Sequence, residues 1–201
     1  MMNILKDSID YEEKIQRSRF IAYAKPVNTW QDAKEFITEI SQEHKNATHN
    51  CWAYIVGDKG EMQHSSDDGE PSGTAGKPML NALNKSELTN IVAVVTRYFG
   101  GVKLGIRGLI DAYGGVLERA LNLAQIEELV FKRTLSLCTD YDFYNILKHR
   151  ISFAGVEIVD TEYTDKVSIY IEVLEEKFAE LIAILDDMKN QKLITELEEI
   201  L

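Results

Sequence analysis

The segment Thr96–Gly115 reads TRYFGGVKLGIRGLIDAYGG, and it directly follows the apolar run IVAVV at Ile91–Val95. A short run that is apolar at every position is expected in a central strand with both faces covered. Apolar residues then recur at helical spacing over Leu109–Leu123, so the sequence predicts a strand, a glycine-rich turn and a helix. This order places Arg97 and Tyr98 at the end of the strand.

A second glycine-rich segment, Ser65–Pro78, reads SSDDGEPSGTAGKP. Pro78 suits the first turn of a helix because it has no N–H to lose there, and the candidates for the N-cap of that helix are Ser72, Thr74 or Gly76. Nine of the chain's 12 glycines lie within the two segments. Because glycine allows unusual torsions and close backbone approach, we expect a functional site in these two loops.

The rest of the first part shows ordinary patterns. Alternation over residues 8–27 predicts a β-hairpin, and Thr29 is the expected N-cap of an amphipathic helix. Asn50–Val56 predicts a strand that pairs with Glu61–Ser65 across a short turn.

Residues 126–201 follow the order β-α-β-β-α-β, which is that of a ferredoxin-like domain. The predicted elements are strands over Leu129–Cys138, Val156–Tyr163, Lys166–Leu174 and Ile194–Ile200, and helices over Tyr141–Phe153 and Lys177–Lys189. We therefore predict an α+β chain with two domains, residues 1–125 and residues 126–201, and a boundary near Gln125.

The composition is that of a soluble globular protein. The chain has 201 residues, 45% of them hydrophobic, and no apolar run approaches the length of about 18 residues that a membrane helix needs. Its start shows no signal peptide. Two cysteines are too few for a disulfide framework. We expect a cytoplasmic protein without a membrane partner.

The net charge of −11 is unevenly distributed. Residues 1–125 carry 14 basic and 16 acidic side chains, whereas residues 126–201 carry 8 and 17. The second domain should therefore repel nucleic acid, and we expect no DNA partner. Any polyanion would have to bind the nearly neutral first domain.

Both glycine-rich turns precede a helix, and free N–H groups at a helix N-terminus favour an anion. The candidate residues for an anion or an anionic partner are Gly73, Gly76, Lys77, Arg97, Tyr98, Gly100, Gly101, Lys103, Gly105 and Arg107. Neither turn is a Walker A loop, since Pro71 and Pro78 occupy positions that the motif reserves for other residues. The alternative is that the glycines only form tight turns and allow helix packing.

The acidic residues Asp67, Asp68 and Glu70 lie in the first of these loops. Their carboxylates would suit a hard cation, or they would accept N–H bonds and organise the loop together with Ser72 and Thr74. The spacing lacks the ligand order of an EF-hand. We predict no cofactor.

His49 and Cys51 share one face of a predicted strand, and His64 on the partner strand is a candidate third member. A cysteine beside a histidine is the arrangement of a nucleophile or of a partial zinc site, but a buried cysteine beside a hydrogen-bonded histidine fits better. We predict no catalytic residue. Arg97 with Tyr98 and Phe99 would suit stacking on nucleobases, unless Phe99 points into the core.

The quoted segments, together with THNCWAY at Thr48–Tyr54 and SRFIA at Ser18–Ala22, resemble the signature of the YigZ/IMPACT family. The resemblance covers about residues 3–125, and the remainder is similar to the small C-terminal domain of bacterial members. It implies a first domain similar to domain 2 of ribosomal protein S5, a sheet with helices on one face. It also implies a ferredoxin-like second domain similar to those at the end of elongation factor G.

The same resemblance implies a function in translation, because eukaryotic relatives control initiation by binding proteins and bacterial members are suspected of binding RNA or the ribosome. The expected partner is therefore RNA, the ribosome or a translation-associated protein. Where the family has an arginine before Ala-Tyr, this chain has Asp111, and Arg107 supplies a charge about one turn earlier. Two alternatives stay open: an enzyme acting on a phosphorylated small molecule in the same cleft, and a pure protein-protein interaction module.

Overall fold

The computed structural model describes residues 2–152 and 155–200. The chain forms two compact units that divide between Leu129 and Val130, and we describe each unit by itself. Helices and strands occur in both units, which confirms the predicted α+β class. Among the described residues, no helix is both long enough and apolar enough to cross a membrane.

The first unit is built on a five-stranded antiparallel sheet in the order β2-β3-β6-β4-β5. Its elements are β1 (Asn3–Leu5), β2 (Ile9–Ile15), β3 (Ser18–Pro26), α1 (Trp30–Glu43), β4 (His49–Val56), β5 (Met62–Ser66), α2 (Gly76–Lys85), β6 (Ile91–Tyr98), α3 (Gly105–Leu123) and β7 (Ile126–Glu128).

The strand β6 lies at the centre of this sheet, as predicted from its continuous apolar run. Ala93 and Val95 pack with α2 and α3 on one face of the sheet, while Val92 and Val94 pack with α1 on the other. The helices that follow the two glycine-rich loops therefore share one face. α1 covers the opposite face, which differs from the expectation of helices on one face alone.

Thr29 caps α1 as predicted. Its hydroxyl accepts a hydrogen bond from the N–H of Asp32, and the Asp32 carboxylate accepts one from the N–H of Thr29, which completes a capping box. Thr29 thereby satisfies one helix N–H, and Asp32 satisfies the N–H of the cap residue. This local arrangement sets where α1 begins and hence where its apolar stripe meets the sheet.

The division between the units falls later in the chain than the predicted boundary near Gln125. The reason is that β7 pairs antiparallel with β1, so Ile126 and Glu128 belong to the first unit. α3 also begins at Gly105, earlier than the predicted start at Leu109. Gly105 adopts a φ of +74°, which lets the chain turn directly into the helix.

The second unit has the ferredoxin-like order of elements that the sequence predicts. Its four antiparallel strands lie in the order β11-β8-β10-β9, and its core contains residues from β8, β10 and both helices. The predicted end of its first helix at Phe153 lies outside the described residues. The elements are β8 (Lys132–Thr139), α4 (Tyr141–Ser152), β9 (Glu157–Tyr163), β10 (Val167–Leu174), α5 (Glu175–Asn190) and β11 (Glu196–Ile200).

Candidate functional site

A buried ion pair forms the floor of the candidate site. Arg97 at the end of β6 donates from Nη1 to Oε1 of Glu70 at 2.5 Å, and the Tyr113 hydroxyl on α3 donates to the same oxygen at 2.9 Å. A further bond of 3.3 Å runs from Arg97 Nη2 to the Ser18 hydroxyl on β3. These contacts join the acidic loop, the central strand and α3.

Asp67 organises the loop that presents Glu70. Its carboxylate accepts hydrogen bonds from the N–H groups of Gly73, Ala75 and Gly76, the last two at the start of α2. Burial raises the pKa of the Asp67 carboxyl, but the three N–H bonds outweigh burial and the pKa is lowered overall. The N-terminus of α2 therefore already holds an anion, the chain's own carboxylate.

This arrangement corrects the expected N-cap of α2. The N-cap residue of α2 is Ala75, which makes no side-chain cap bond, so the caps expected from Ser72, Thr74 or Gly76 are replaced by Asp67. Thr74 is buried and bonds the carbonyl of Pro71, whereas Ser72 is exposed. The sequence could not locate this cap because Asp67 lies 8 and 9 residues before the N–H groups of Ala75 and Gly76, outside the three-residue spacing of an ordinary N-cap.

His49 and Cys51 both hold the acidic loop against β4. His49 Nδ1 donates to the carbonyl of Asp68 at 2.7 Å, the Cys51 thiol donates to the carbonyl of Asp67 at 2.9 Å, and the Asp68 carboxylate accepts the N–H of Asn50. Burial, chiefly, raises the pKa of Cys51 to about 12. The raised pKa keeps the thiol protonated at neutral pH, and both side chains bond backbone carbonyls, which favours the structural role over a Cys-His nucleophile.

The third candidate histidine lies elsewhere. His64 on β5 contacts the Tyr54 ring on the α1 face of the sheet, and Cys51 points to the face covered by α2 and α3. No group of three or more histidine, cysteine, aspartate or glutamate side chains suited to a metal ion occurs among the described residues. The acidic loop is organised by N–H groups and by Arg97, as the loop-organising alternative expected.

A cleft of about 420 Å³ opens above the ion pair. It lies between β6, the acidic loop and the start of α3. The N-cap residue of α3 is Leu104, whose apolar side chain cannot accept a hydrogen bond. The first N–H groups of α3 therefore have no N-cap side chain as their acceptor. The lining residues are Thr48, His49, Glu70, Pro71, Arg97, Phe99, Lys103, Leu104, Gly105, Ile106 and Leu109.

Several predicted contact residues do not line this cleft. Tyr98 points to the α1 face, where its hydroxyl and His44 Nδ1 lie 2.9 Å apart. Lys77 and Arg107 are exposed, and neither forms an ion pair with a described residue. Lys103 lines the cleft and likewise has no ion pair among the described residues, so it is the cation available to a ligand there.

The comparisons with known proteins agree with the resemblance described above. Residues 16–121 match the Impact N-terminal domain, and residues 139–192 match a domain of unknown function, DUF1949. The chain belongs to the IMPACT family. It is 41% identical to the IMPACT family member YvyE of Bacillus subtilis over 173 residues, which cover 85% of this chain and 80% of that protein.

Two further relatives cover almost the whole of this IMPACT family chain. An IMPACT family member of Haemophilus influenzae is 37% identical over 97% of this chain and 96% of its own length. A crystal structure of a hypothetical protein is 32% identical, with a TM-score of 0.64 over 99% of this chain and 96% of its own. Both matches span the two units.

The glycines of the IMPACT signature have different structural roles. A Cβ at Gly100 would lie 1.8 Å from the carbonyl oxygen of Arg17, so Gly100 allows two segments of backbone to touch. A Cβ at Gly76 would lie 2.8 Å from backbone atoms of Ser66, which is also too close. Gly101 has a φ of +85° and faces open space, which makes it a turn residue. Gly105 alone of the predicted binding glycines lines the cleft.

Sequence reasoning left Phe99 open between a stacking surface and the core, and it missed Ile106, the other member of the apolar wall of the cleft. Phe99 is 45% exposed and Ile106 is 67% exposed, so neither is a core residue. A signal was present: Ile106 extends the apolar spacing of α3 one turn before Leu109, where the buried stripe begins. The partners of Arg97 carried no such signal, because Glu70 and Tyr113 are distant in sequence.

Proposed function

We propose that this IMPACT family protein is a regulatory binding protein linked to translation, which recognises RNA, the ribosome or a translation-associated protein through the cleft of its first unit. The observation that carries the proposal is the start of α3. The first N–H groups of α3 receive no hydrogen bond from an N-cap side chain. Lys103, which forms no ion pair with a described residue, lines the same cleft, and both features favour a negatively charged group.

The geometry narrows the set of residues that would contact an anion. The N–H groups of Gly73 and Gly76 donate to Asp67, and Arg97 is buried against Glu70. These groups are already paired within the protein, so they hold the loop in place and are not the direct contacts of an anion. Lys103 lines the cleft, and Arg107 lies on the first turn of α3. We therefore assign the direct anion contacts to Lys103 and the N–H groups at the start of α3, and we expect Arg107, which does not line the cleft, to add positive charge beside it.

The link to translation follows from the family resemblance, which implies that eukaryotic relatives act in the control of translation initiation. The charge distribution supports the first unit as the contact surface. Residues 126–201 carry 17 acidic against 8 basic side chains and would be repelled by RNA.

Co-sedimentation with ribosomes from the source organism tests the proposal. The purified chain and the Lys103→Ala/Arg107→Ala variant are compared between about 50 and 200 mM salt, a range in which binding through phosphates weakens steeply. We expect the bound fraction to fall with salt, and we expect the variant to bind at least about tenfold more weakly, with a shallower salt dependence. Arg97 is left intact because its loss would disturb the fold.

The matched control is Lys34→Ala/Lys59→Ala. It removes the same charge from exposed positions on α1 and on the turn after β4, away from the cleft. We expect it to bind like the unmodified chain. Equal losses in both double variants would mean that general charge decides binding, and no binding at the lowest salt would refute the proposal. Binding that resists both salt and the cleft variant would indicate a protein partner at another surface.

A second candidate function is an enzyme acting on a phosphorylated small molecule. The volume of the cleft, about 420 Å³, falls within the range of small-molecule sites, and His49 Nε2 lies 3.8 Å from Glu70 Oε1 beside it. A thermal-shift screen of phosphorylated metabolites checks this function, with saturable stabilisation by one compound as the expected result. That stabilisation should disappear in Lys103→Ala/Arg107→Ala.

A further inference from the structure

Phe99 is an exposed aromatic ring held in place by a buried cation. The guanidinium carbon of Arg97 lies 5.3 Å from the centroid of Phe99 and 5.4 Å from that of the buried Phe20. The N–H of Phe99 also donates to the Thr48 hydroxyl at 3.0 Å, which fixes the backbone there. A ring that is supported from the protein side and 45% exposed offers a stacking surface at the cleft.

Glu70 provides an open acceptor at the floor of the same cleft. Its Oε1 accepts from Arg97 and Tyr113, but Oε2 receives no hydrogen bond from the described residues, although the side chain is only 4% exposed. His49 Nδ1 donates to a carbonyl, and Nε2 lies 3.8 Å from Glu70 Oε1, so it would be a second acceptor beside Glu70 in the ring form that carries its proton on Nδ1 alone. Glu70 lines the cleft, and a carboxylate oxygen that no described residue bonds favours a ligand that brings a hydroxyl or an amino group.

The third element is the anion position at the start of α3. Gly105 is the first residue of α3, and its positive φ allows the turn into the helix. Lys103 lies two residues earlier, and both residues line the cleft. Arg97 Nε, buried in the floor, has no hydrogen-bond partner among the described residues. The cleft thus contains an aromatic surface, acceptors for a hydroxyl group and a place for a phosphate.

We propose that the cleft binds one unpaired ribonucleotide of single-stranded RNA. The base stacks on Phe99, a ribose hydroxyl donates to Glu70 Oε2 or His49 Nε2, and the phosphate lies at Lys103 and the N–H groups of α3. This inference rests on the proposed function and names the chemistry that the cleft recognises. RNA contains these three groups in each nucleotide, and the 2′-hydroxyl is the donor that DNA lacks.

A duplex would not fit this arrangement, because its bases are stacked on each other and closed to an aromatic side chain. A nucleotide in a loop or a single strand exposes its base and its sugar together. Glu70 and His49 would therefore select ribose over deoxyribose. Phe99 would accept any of the bases, since every base has an aromatic face.

Fluorescence anisotropy with a labelled octamer of uridine ribonucleotides tests the inference, with the matched deoxyuridine octamer as second probe. We expect the full chain to bind the RNA octamer at low salt and the DNA octamer at least about fivefold more weakly. Phe99→Ala should weaken RNA binding about tenfold, and Phe99→Tyr, which keeps the ring, should restore it. Phe131→Ala removes an exposed phenylalanine from the second unit and should change nothing.

The inference is overturned if the two octamers bind equally, or if Phe99→Ala binds RNA like the unmodified chain. Co-sedimentation with ribosomes separates this failure from failure of the proposed function. Ribosome binding that depends on Lys103 and Arg107, together with no response to Phe99 or to the sugar, would leave the proposed function standing and refute the nucleotide site. Absence of both ribosome and octamer binding would refute both.

Discussion

Arg97 Nη1 donates to Glu70 Oε1 at 2.5 Å in the interior of the first unit, where the two side chains are only 6% and 4% exposed. The pair connects the end of the central strand to a glycine-rich loop far from it in sequence. Because each charge depends on the other for compensation, the candidate cleft and the stability of the fold are linked through one contact.

Glu70→Ala should destabilise the first unit by about 3–5 kcal/mol, because it leaves the Arg97 guanidinium buried without a counter-charge. Urea unfolding followed by circular dichroism measures the change. Replacing both partners, in Glu70→Leu/Arg97→Met, should cost less than Glu70→Ala alone, since no buried charge is left unpaired. A double variant less stable than the single one would contradict this explanation.

Glu12→Ala is the matched control for Glu70→Ala. Glu12 also pairs with an arginine, Arg19, but both side chains are about half exposed. Water screens such a pair, so its removal should change stability little. A comparable loss in both variants would mean that burial is not what makes the Glu70 pair important.

Asp67→Asn should destabilise the fold by about 1–2 kcal/mol, the usual cost of losing a helix N-cap. The pKa of Asp67 is lowered in the folded chain from its ordinary value of 3.8. The carboxylate therefore contributes its full stabilisation above pH 3.8, and this stabilisation disappears as the pH falls through the lowered pKa of the folded chain. Unfolding free energies of both proteins, measured from neutral pH downward, should converge in acid. A constant difference at all pH values would exclude this ionisation as the cause.

Cys51 should be unreactive toward a thiol reagent in the native protein at neutral pH. Its side chain is buried and its pKa is raised to about 12, so almost none of the reactive thiolate is present. Cys138 is partly exposed and should react first. In the Cys138→Ser variant we expect no rapid reaction until denaturant is added, and rapid native reaction of that variant would contradict the burial of Cys51.

Two glycine substitutions should have opposite effects. Gly100→Ala would place a Cβ 1.8 Å from the Arg17 carbonyl oxygen and should destabilise by at least about 1–3 kcal/mol, since backbone must move. Gly114 lies inside α3 with 3.6 Å to Pro78, an ordinary contact, so Gly114→Ala should stabilise by about 1 kcal/mol. Thermal unfolding of the two variants measures both signs, and destabilisation by Gly114→Ala would show that this contact is tighter than the structure indicates.

Local patterns in the sequence were sufficient for most of the fold. The apolar run Ile91–Val95 identified the central strand because only a strand covered on both faces tolerates apolar residues at successive positions. Thr29 identified the start of α1 because its capping bonds join residues three apart. The ferredoxin-like order of the second unit followed from the spacing of its strands and helices.

Local patterns pointed to the two loops that border the cleft but did not assign roles to their residues. Glycines and cations near Arg97 are visible in the sequence, yet whether Arg97 meets a phosphate or a carboxylate depends on a loop nearly thirty residues earlier. The same holds for Asp67, whose carboxylate occupies the N-terminus of α2 across the loop. Such contacts have no fixed spacing along the chain.

The sequence by itself determined the class of fold, the central strand, the first helix cap and the two loops that contain the cleft, because each depends on contacts between near neighbours. Only the tertiary structure decided which charges are compensated. It buried Arg97 against Glu70, left Lys103 and the start of α3 open, and exposed Phe99. The physical reason is that burial and pairing arise when segments distant in sequence meet, and they determine which charges remain available to a ligand.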